Sequence, residues 1–219
     1  MFRFVIFDFD MTLVDSSCAV ADTMNLVAAR EGLPSVTREQ VLSVIGMPIR
    51  ESWLRIWGRF EERWLADFRQ EFLLREFQGI RLFPGTKYVL ETLQSLEVGL
   101  GIASNRQNPR APLEAMGLES YFTSVVGMGD VENAKPAPDM IYRGMADLGG
   151  EAGNTLFAGD TADDMTAARR AGVRAVGLTT GNFTPASLRD AGAWRVLDSL
   201  EEILPIFSGH GRRKDPLRG

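Results

Sequence analysis

Short apolar runs, each followed by small or acidic residues and then by a helix-like segment, recur along this chain of 219 residues. Near-continuous apolar strands that alternate with helices are typical of a parallel sheet that helices cover on both faces. The pattern therefore predicts an open α/β fold. The runs are FRFVIFDF at the start, VGLGIAS (98–104), SVVGM (124–128), TLFAGD (155–160), RAVGLT (174–179) and a weaker WRVLD (194–198).

Residues 16–79 depart from this alternation because their pattern is helical throughout. Their aromatic residues recur at helical spacings, which is typical of packing between helices rather than of a cofactor site. We therefore expect an all-helical cap domain at 16–79, inserted into an α/β core of residues 1–15 and 80–207. The Gly- and Arg-rich end, residues 208–219, is expected to be a flexible tail.

Composition and charge exclude several classes of protein. The formal net charge of −5 argues against nucleic acid and anionic membranes as partners. No apolar run reaches the ~18 residues of a membrane span, and Asp8 and Asp10 interrupt the apolar stretch that a signal peptide needs. The cytoplasm is therefore the expected location. Cys18 is the only cysteine and His210 the only histidine, so one chain has no disulfide framework and no histidine-based triad or metal site. Cys18 is expected to be buried.

Polar residues stand at the ends of the predicted strands in four places. Ligands of open α/β sheets bind beyond the carboxyl ends of the strands, so these residues are expected to meet. Each group alone is consistent with a helix cap, a turn or a surface charge, but the four together favour one site. They are Asp8, Asp10 and Thr12 after the first run, Ser104 and Asn105 after the second, Lys135 in NAKPAPD, and Asp160 with Asp164 in GDTADD.

These residue types suit the binding of a metal and a phosphoryl group. Asp8 and Asp10 face the same side of an extended chain and repel each other, so a positive charge is expected beside them. Together with Asp160 they offer three carboxylates to a hard cation, and Mg²⁺ is the common choice where phosphate is involved. The hydroxyls of Thr12 and Ser104 and the ammonium of the lysine are donors for phosphoryl oxygens. The expected partner is a small phosphate ester.

FDFDMTLVDS, IASN, KPAPD and AGDTADDM resemble the four signature motifs of the haloacid dehalogenase superfamily, in its phosphoglycolate-phosphatase-like branch. The resemblance extends from Phe4 to about Leu204. It implies a Rossmann-like core with a helical cap inserted after the first strand. It also implies a Mg²⁺-dependent phosphatase that hydrolyses a small phosphorylated metabolite, phosphoglycolate-like or a sugar phosphate, through an aspartyl-phosphate intermediate.

The resemblance also implies a role for each matching residue. Asp8 is the expected nucleophile, and Asp10 the expected general acid and then general base. The metal is expected to bind the carboxylates of Asp8 and Asp160 and the backbone carbonyl of Asp10, with Asp164 in direct or water-mediated support. The residues expected to hold the phosphoryl oxygens are Thr12, Ser104, Lys135 and, through its backbone N–H, Asn105.

Three positions depart from the family pattern or extend it. Met11 stands where the family usually has Gly, and if that turn needs a positive φ, Met costs roughly 1–2 kcal/mol more than Gly. Arg106 stands where lysine is commoner and keeps the charge. Arg50 is the only cation of IGMPIRES (45–52), which resembles the cap's substrate loop. It is a candidate for binding a second anionic group of the substrate, and a solvated surface arginine is an equal alternative.

Two alternatives to the phosphatase stay open at this point. A sugar-phosphate mutase of the β-phosphoglucomutase type shares every core residue, although such mutases tend to have lysine before a cap glycine, where this chain has Ile45 before Gly46. A phosphoacceptor signalling domain combines similar residues but lacks a helical insert and a base two residues past its acceptor. Asp10 argues against a dehalogenase, and the absence of lysine from 16–79 argues against a phosphonatase. The sequence leaves a monomer and a homodimer equally open.

Overall fold

A parallel sheet of six strands organises the part of the chain that the structure, a computed structural model, describes. That part comprises residues 1–45, 47 and 49–208, without the side chains of 73–78. The strands are Phe4–Phe7 (β1), Val14–Asp15 (β2), Arg81–Leu82 (β3), Gly99–Ala103 (β4), Ser124–Val126 (β5), Thr155–Gly159 (β6), Arg174–Leu178 (β7) and Arg195–Leu197 (β8). The sheet order is β5-β4-β1-β6-β7-β8. This is the Rossmann order of a doubly wound sheet, so the predicted fold class is confirmed.

The apolar runs form strands because both faces of the sheet are buried. Val5 and Phe7 of β1 belong to one apolar cluster, and Ile6 belongs to the cluster on the opposite face. Phe7 lies opposite Ile102 of β4 and Ala158 of β6 in the parallel register. Because this register aligns the carboxyl ends of the three central strands, the residues that follow them reach the same edge of the sheet.

Helices cover the sheet and form a separate layer above its carboxyl edge. The α-helices are Ser17–Glu31 (α1), Arg38–Leu42 (α2), Ile49–Trp57 (α3), Glu62–Gly79 (α4), Thr86–Ser95 (α5), Arg110–Ala115 (α6), Asp139–Leu148 (α7), Ala162–Arg170 (α8), Pro185–Ala191 (α9) and Leu204–Ser208 (α10). Short 3-10 helices occupy Glu119–Tyr121, Met128–Asp130 and Leu200–Ile203.

Helices α1–α4 make up the helical insert, which has an apolar core of its own. Met24, Val27, Trp53, Trp64 and Phe68 are buried together in it. The rings of Trp53 and Phe68 meet edge to face, with centroids 5.7 Å apart. The aromatic series therefore packs between helices, as its spacing predicts. The residue boundaries of the cap and core domains stay a prediction.

Several local features were not predicted or were predicted wrongly. β2 and β3 pair antiparallel, with Val14 opposite Leu82, and form a short ribbon at the base of the helical insert. Gly58, with φ 71, separates α3 from α4. The expectation that Cys18 is buried is wrong, because this residue lies on the exposed side of α1 between the buried Ser17 and Ala19.

Among the described residues, no helix combines the length and the apolar character that crossing a membrane requires. The predicted flexible tail lies outside the described residues apart from Ser208, the last residue of α10. The cytoplasmic location and the oligomeric state stay predictions.

Candidate active site

The candidate site lies where the strand order of the sheet reverses. From β1, the chain order runs toward one edge of the sheet through β4 and toward the other through β6. At such a switch point the loops after the two central strands diverge and leave a crevice. Asp8 directly follows β1 and Asp160 directly follows β6. The backbone N–H of Asp8 donates to the carbonyl of Ala158 at 2.8 Å, which extends the β1–β6 pairing to the crevice.

Asp8, Asp160 and Asp164 form a buried acidic cluster in this crevice. Their carboxylates offer oxygens that all lie within 4.8 Å of one another. Lys135 Nζ bridges two of them, donating to Asp8 Oδ1 at 2.7 Å and to Asp164 Oδ1 at 2.6 Å. Asp164 Oδ2 accepts from the backbone N–H of Thr161, the N-cap of α8, at 3.0 Å. The start of α8 and the lysine therefore fix Asp164.

The pKa values in the acidic cluster show an excess of negative charge. Burial raises the pKa of Asp8 to about 7, although Lys135 opposes this shift, and repulsion from Asp164 and Asp10 adds to it. Burial, with repulsion from Asp8 and Asp164, also raises the pKa of Asp160 well above its usual range. Burial alone would lower the pKa of Lys135, but the neighbouring carboxylates raise it, so the lysine stays charged. One ammonium does not balance three buried carboxylates.

The donor set of the acidic cluster fits a divalent cation. Lys135 donates to Asp8 at Oδ1, and the Thr12 hydroxyl donates to Asp160 Oδ1 at 3.1 Å. No hydrogen bond from the described part of the chain reaches Oδ2 of either carboxylate. A Cβ at Gly181 would overlap Asp160 Oδ2, so glycine there gives this oxygen its space. Buried anionic oxygens without donors suit a hard cation with oxygen ligands.

Asp10 is paired with a residue whose role the sequence analysis missed. Arg106 Nε donates to Asp10 Oδ2 at 2.6 Å, and Nη2 donates to Oδ1 at 2.7 Å. Burial raises the pKa of Asp10, but the charge and hydrogen bonds of Arg106 outweigh it, so the pKa is lowered. The Arg106 guanidinium also lies 5.2 Å from the centroid of the Phe9 ring. The sequence signal for this contact was the position of Arg106, directly after Ser104-Asn105 at the end of β4.

Three of the four residues predicted to hold phosphate line one cavity with the acidic cluster: Ser104, Asn105 and Lys135. The Asn105 side chain donates to the backbone carbonyl of Lys135 and accepts from its N–H, both at 3.0 Å. It thereby fixes the loop that carries the lysine. Thr12 is fully buried and does not line the cavity. Its hydroxyl donates to Asp160 Oδ1, and its contact with a phosphoryl group stays a prediction.

The turn after Asp10 has the geometry that the usual glycine suggests. Met11 has a φ of 56, in the left-handed region, and its side chain is buried. Its N–H donates to the carbonyl of Val14 at 2.7 Å, and its carbonyl accepts from the Thr180 hydroxyl. The backbone turn is therefore held from both sides, with Met in a conformation that favours glycine.

Arg50 does not lie at the candidate site. Its side chain is on the exposed surface of α3, and the guanidinium lies 5.4 Å from the centroid of the Phe60 ring. It is absent from the linings of the three cavities that adjoin Asp10, Arg106 or the acidic cluster. Its predicted contact with the substrate gains no support from this placement.

The acidic cluster, Asp10 and Lys135 share a cavity of about 510 Å³. Carboxylates, a buried ammonium and a candidate cation site thus surround a space of the size that small-molecule ligands occupy. The fold and the site define a class of hydrolase: this chain belongs to the haloacid dehalogenase-like hydrolase family, whose model matches residues 5–178.

Relatives of known name and structure agree with this membership. The chain is 35% identical over 214 residues to the phosphoglycolate phosphatase of Photorhabdus laumondii, covering 92% of this chain and 91% of that protein. It is 32% identical over 210 residues to the probable phosphatase IndB of Dickeya dadantii, covering 91% of each. The crystal structure of a predicted phosphoglycolate phosphatase from Haemophilus somnus superposes with a TM-score of 0.81 at 25% identity, covering 94% of this chain and 97% of that one.

Proposed function

We propose that this protein is a Mg²⁺-dependent phosphatase that hydrolyses a small phosphorylated metabolite through an aspartyl-phosphate intermediate. One observation carries the proposal: Asp10, Lys135 and the three carboxylates of the acidic cluster line one cavity at the switch point of the sheet. Nucleophile, acid–base and charge-neutralising groups are the parts that phosphoryl transfer requires. The names of the relatives, phosphoglycolate phosphatase and probable phosphatase, support the same reaction class.

The first half-reaction moves the phosphoryl group from the substrate to Asp8. The Asp8 carboxylate attacks phosphorus, the ester oxygen leaves on the opposite side, and Asp10, which reacts in its protonated form in this step, donates the proton that this oxygen needs. Lys135 Nζ, 2.7 Å from Asp8 Oδ1, holds the nucleophile and neutralises charge on the phosphoryl oxygens. The Ser104 hydroxyl, on the same cavity, is a further donor to those oxygens.

The second half-reaction returns Asp8 to its carboxylate form. Asp10, now ionised, accepts a proton from water, which attacks the aspartyl phosphate and releases inorganic phosphate. The lowered pKa of Asp10 favours this basic form. Asp8, Asp160 and the backbone carbonyl of Asp10 would hold Mg²⁺, with support from Asp164. When bound, the ion would neutralise charge on the phosphoryl oxygens.

The test is release of phosphate from small phosphoesters by the purified protein with Mg²⁺, followed as kcat/KM. We expect Asp8→Asn to lower kcat by at least roughly 1,000-fold, because an amide is a poor nucleophile and a poor metal ligand. Asp10→Asn should also be severely impaired but should accumulate the phosphoaspartate from an ester with a good leaving group, detectable as a mass increase of the acid-quenched protein. Wild-type turnover by Asp8→Asn would refute the mechanism.

A further inference from the structure

A second cavity, of about 240 Å³, adjoins the acidic one and has a different chemistry. It lies between the helical insert and the core, and the two cavities share Asp10, Ile45, Met47 and Arg106 in their linings. We name it the inner pocket. Because Asp10 is the residue placed to protonate the leaving oxygen, the space beside Asp10 is where the alcohol portion of the substrate must lie.

The walls of the inner pocket are apolar. Val20 and Met24 of α1, Trp53 of α3 and Phe68 and Phe72 of α4 are among its lining residues. An aromatic and aliphatic surface of this kind gains free energy by removing apolar atoms of a ligand from water.

The polar groups on the described lining of the inner pocket already have partners. Arg106 and Ser16 are hydrogen-bonded to Asp10, and the Ser52 hydroxyl donates to the carbonyl of Val44 at 3.2 Å. A carboxylate or hydroxyl on the alcohol portion would lose its hydration on entering and find no matching group. Burial of an unpartnered polar group is costly, and burial of an unpartnered charge more so.

We propose that the inner pocket selects phosphate monoesters of small apolar alcohols, aliphatic or aromatic, over esters whose alcohol bears carboxylate or hydroxyl groups. The inference rests on the proposed phosphatase function and names its substrate class. The volume of the inner pocket is sufficient for such an alcohol, since an apolar cavity of about 150 Å³ already holds benzene. A third cavity, of about 480 Å³, is lined by Arg69, Arg106 and several amides but not by Asp10, so a polar alcohol portion placed there would not contact the proton donor.

The first test compares three esters of primary alcohols, which have leaving oxygens of similar basicity and chains of similar length. They are n-pentyl phosphate, butyl phosphate with a terminal hydroxyl and propyl phosphate with a terminal carboxylate. We expect kcat/KM to fall in that order, by at least roughly 100-fold from the first to the last. Along the series from ethyl phosphate to n-pentyl phosphate, each added methylene should raise kcat/KM about four-fold.

The outcomes separate this inference from the function on which it rests. Phosphate release that is equal for the three esters, or fastest for the carboxylate, overturns the apolar selectivity and leaves the phosphatase standing. Release from none of them, and from no other phosphoester, overturns both. Faster release from the pentyl ester, with a gain for each methylene, supports the inference.

The second test changes the charge of the wall. Val20 is half-buried on the inner pocket, and Val20→Lys places an ammonium there. The ratio of kcat/KM for the carboxylate ester to that for the pentyl ester should rise by roughly 100-fold or more. The new ammonium would pair with the carboxylate of the first ester and make the pocket wall less favourable for the apolar chain of the second. Ala29→Lys, on the exposed side of the same helix, adds the same charge and should leave the ratio unchanged.

Thermal unfolding establishes that each variant is folded. If Val20→Lys does not fold, Val20→Leu probes the same wall without charge and should lower kcat/KM for pentyl phosphate more than for ethyl phosphate. A folded Val20→Lys with the selectivity of the wild type would overturn the assignment of the inner pocket to the leaving alcohol.

Discussion

The pair of Asp10 and Arg106 shows how one residue decides the protonation of another at this site. Two short hydrogen bonds from a planar guanidinium hold both carboxylate oxygens of Asp10. Such a fork fixes the orientation of the carboxylate as well as its charge. Arg106 therefore fixes the position of Asp10, the proposed proton donor and acceptor of the two half-reactions, before a substrate binds.

Arg106→Gln should lower kcat about 10- to 100-fold, the amount expected from losing hydrogen bonds to a charged group. Arg106→Lys should lie between Gln and the wild type, because lysine keeps the charge without the two-point geometry. Without the guanidinium the pKa of Asp10 rises. On acidification, Asp10 of the variant therefore becomes protonated at a higher pH than Asp10 of the wild type. The acidic limb of the pH dependence of kcat should therefore move to higher pH.

The matched control is Arg143→Gln, which removes an exposed arginine that pairs with Asp147 on α7. It should change neither kcat nor the pH profile. An unchanged acidic limb in both Arg106 variants would mean that the ion pair does not govern Asp10 during turnover.

Met11 offers a second test at the residue scale, because its left-handed backbone and its buried side chain have opposite effects on stability. Met11→Ala loses the buried side chain and keeps the strain, whereas Met11→Gly loses the side chain and relieves the strain. We expect the Gly variant to be more stable than the Ala variant by about 1 kcal/mol in urea unfolding. The reverse order would show that the turn carries no strain.

The sequence predicted most of the site because the residues that carry the chemistry follow apolar strands directly. What it did not predict are contacts between loops far apart in the chain. Arg106 meets Asp10 across 96 positions, and Thr12 donates to Asp160 across 148. Neither contact is visible in a periodicity, so the sequence did not show that Arg106 pairs with Asp10 or that the Thr12 hydroxyl donates to Asp160.

At the scale of elements, the six strands of the parallel sheet were predicted from apolar runs between turn signals. Five of these runs are mostly buried, and the weakest became β8 at the edge of the sheet, where no residue is buried. The ribbon of β2 and β3 was not predicted, because strands of two residues carry no alternation to detect. The break at Gly58 was also missed, since a single glycine within a helical pattern is as often tolerated as it is a helix end.

The ends of the helical insert meet in a close contact between α1 and α4, next to this ribbon. A Cβ at Gly79 would lie 2.6 Å from the Cα and 2.7 Å from the N of Ala19. These are backbone atoms, which cannot give way as the end of a side chain can. Glycine at the end of α4 therefore allows the helical insert to close on itself above the core.

Gly79→Ala should lower the free energy of unfolding by roughly 1–3 kcal/mol, the usual cost of forcing atoms into a packed contact. Gly153→Ala is the control, because a Cβ there meets nothing within 4 Å, and it should stay within about 0.5 kcal/mol of the wild type. Denaturant unfolding measures both. Equal effects of the two substitutions would contradict the close contact.

At the scale of the whole molecule, the site is a concentration of charge that the fold holds out of water. The strand order brings Asp8 and Asp160 together at the switch point, and α8 adds Asp164. The sequence placed these residues at strand ends, but periodicity and spacing do not give the order of strands in a sheet. Their convergence came from the resemblance and from the general rule for ligands of α/β sheets.

This buried charge should make stability depend on pH in a particular direction. The pKa of Asp8 is raised to about 7 in the folded protein from a usual 3.8, and that of Asp160 is raised as well. Between about pH 4 and pH 7 the folded protein therefore binds protons that the unfolded chain has released. Stability contributed by these protonated forms is present below the unfolded pKa and is lost as the pH rises through the folded pKa.

We therefore expect the Tm measured in EDTA to fall between about pH 5 and pH 8, and Mg²⁺ to raise the Tm more at pH 8 than at pH 5. A cation that binds the ionised carboxylates competes with protons at the lower pH and stabilises the folded state by mass action. Asp160→Asn removes one of the buried charges, so its Tm in EDTA should fall less with pH and respond less to Mg²⁺. A stabilisation by Mg²⁺ that is independent of pH, or equal in wild type and Asp160→Asn, would place the cation away from the acidic cluster.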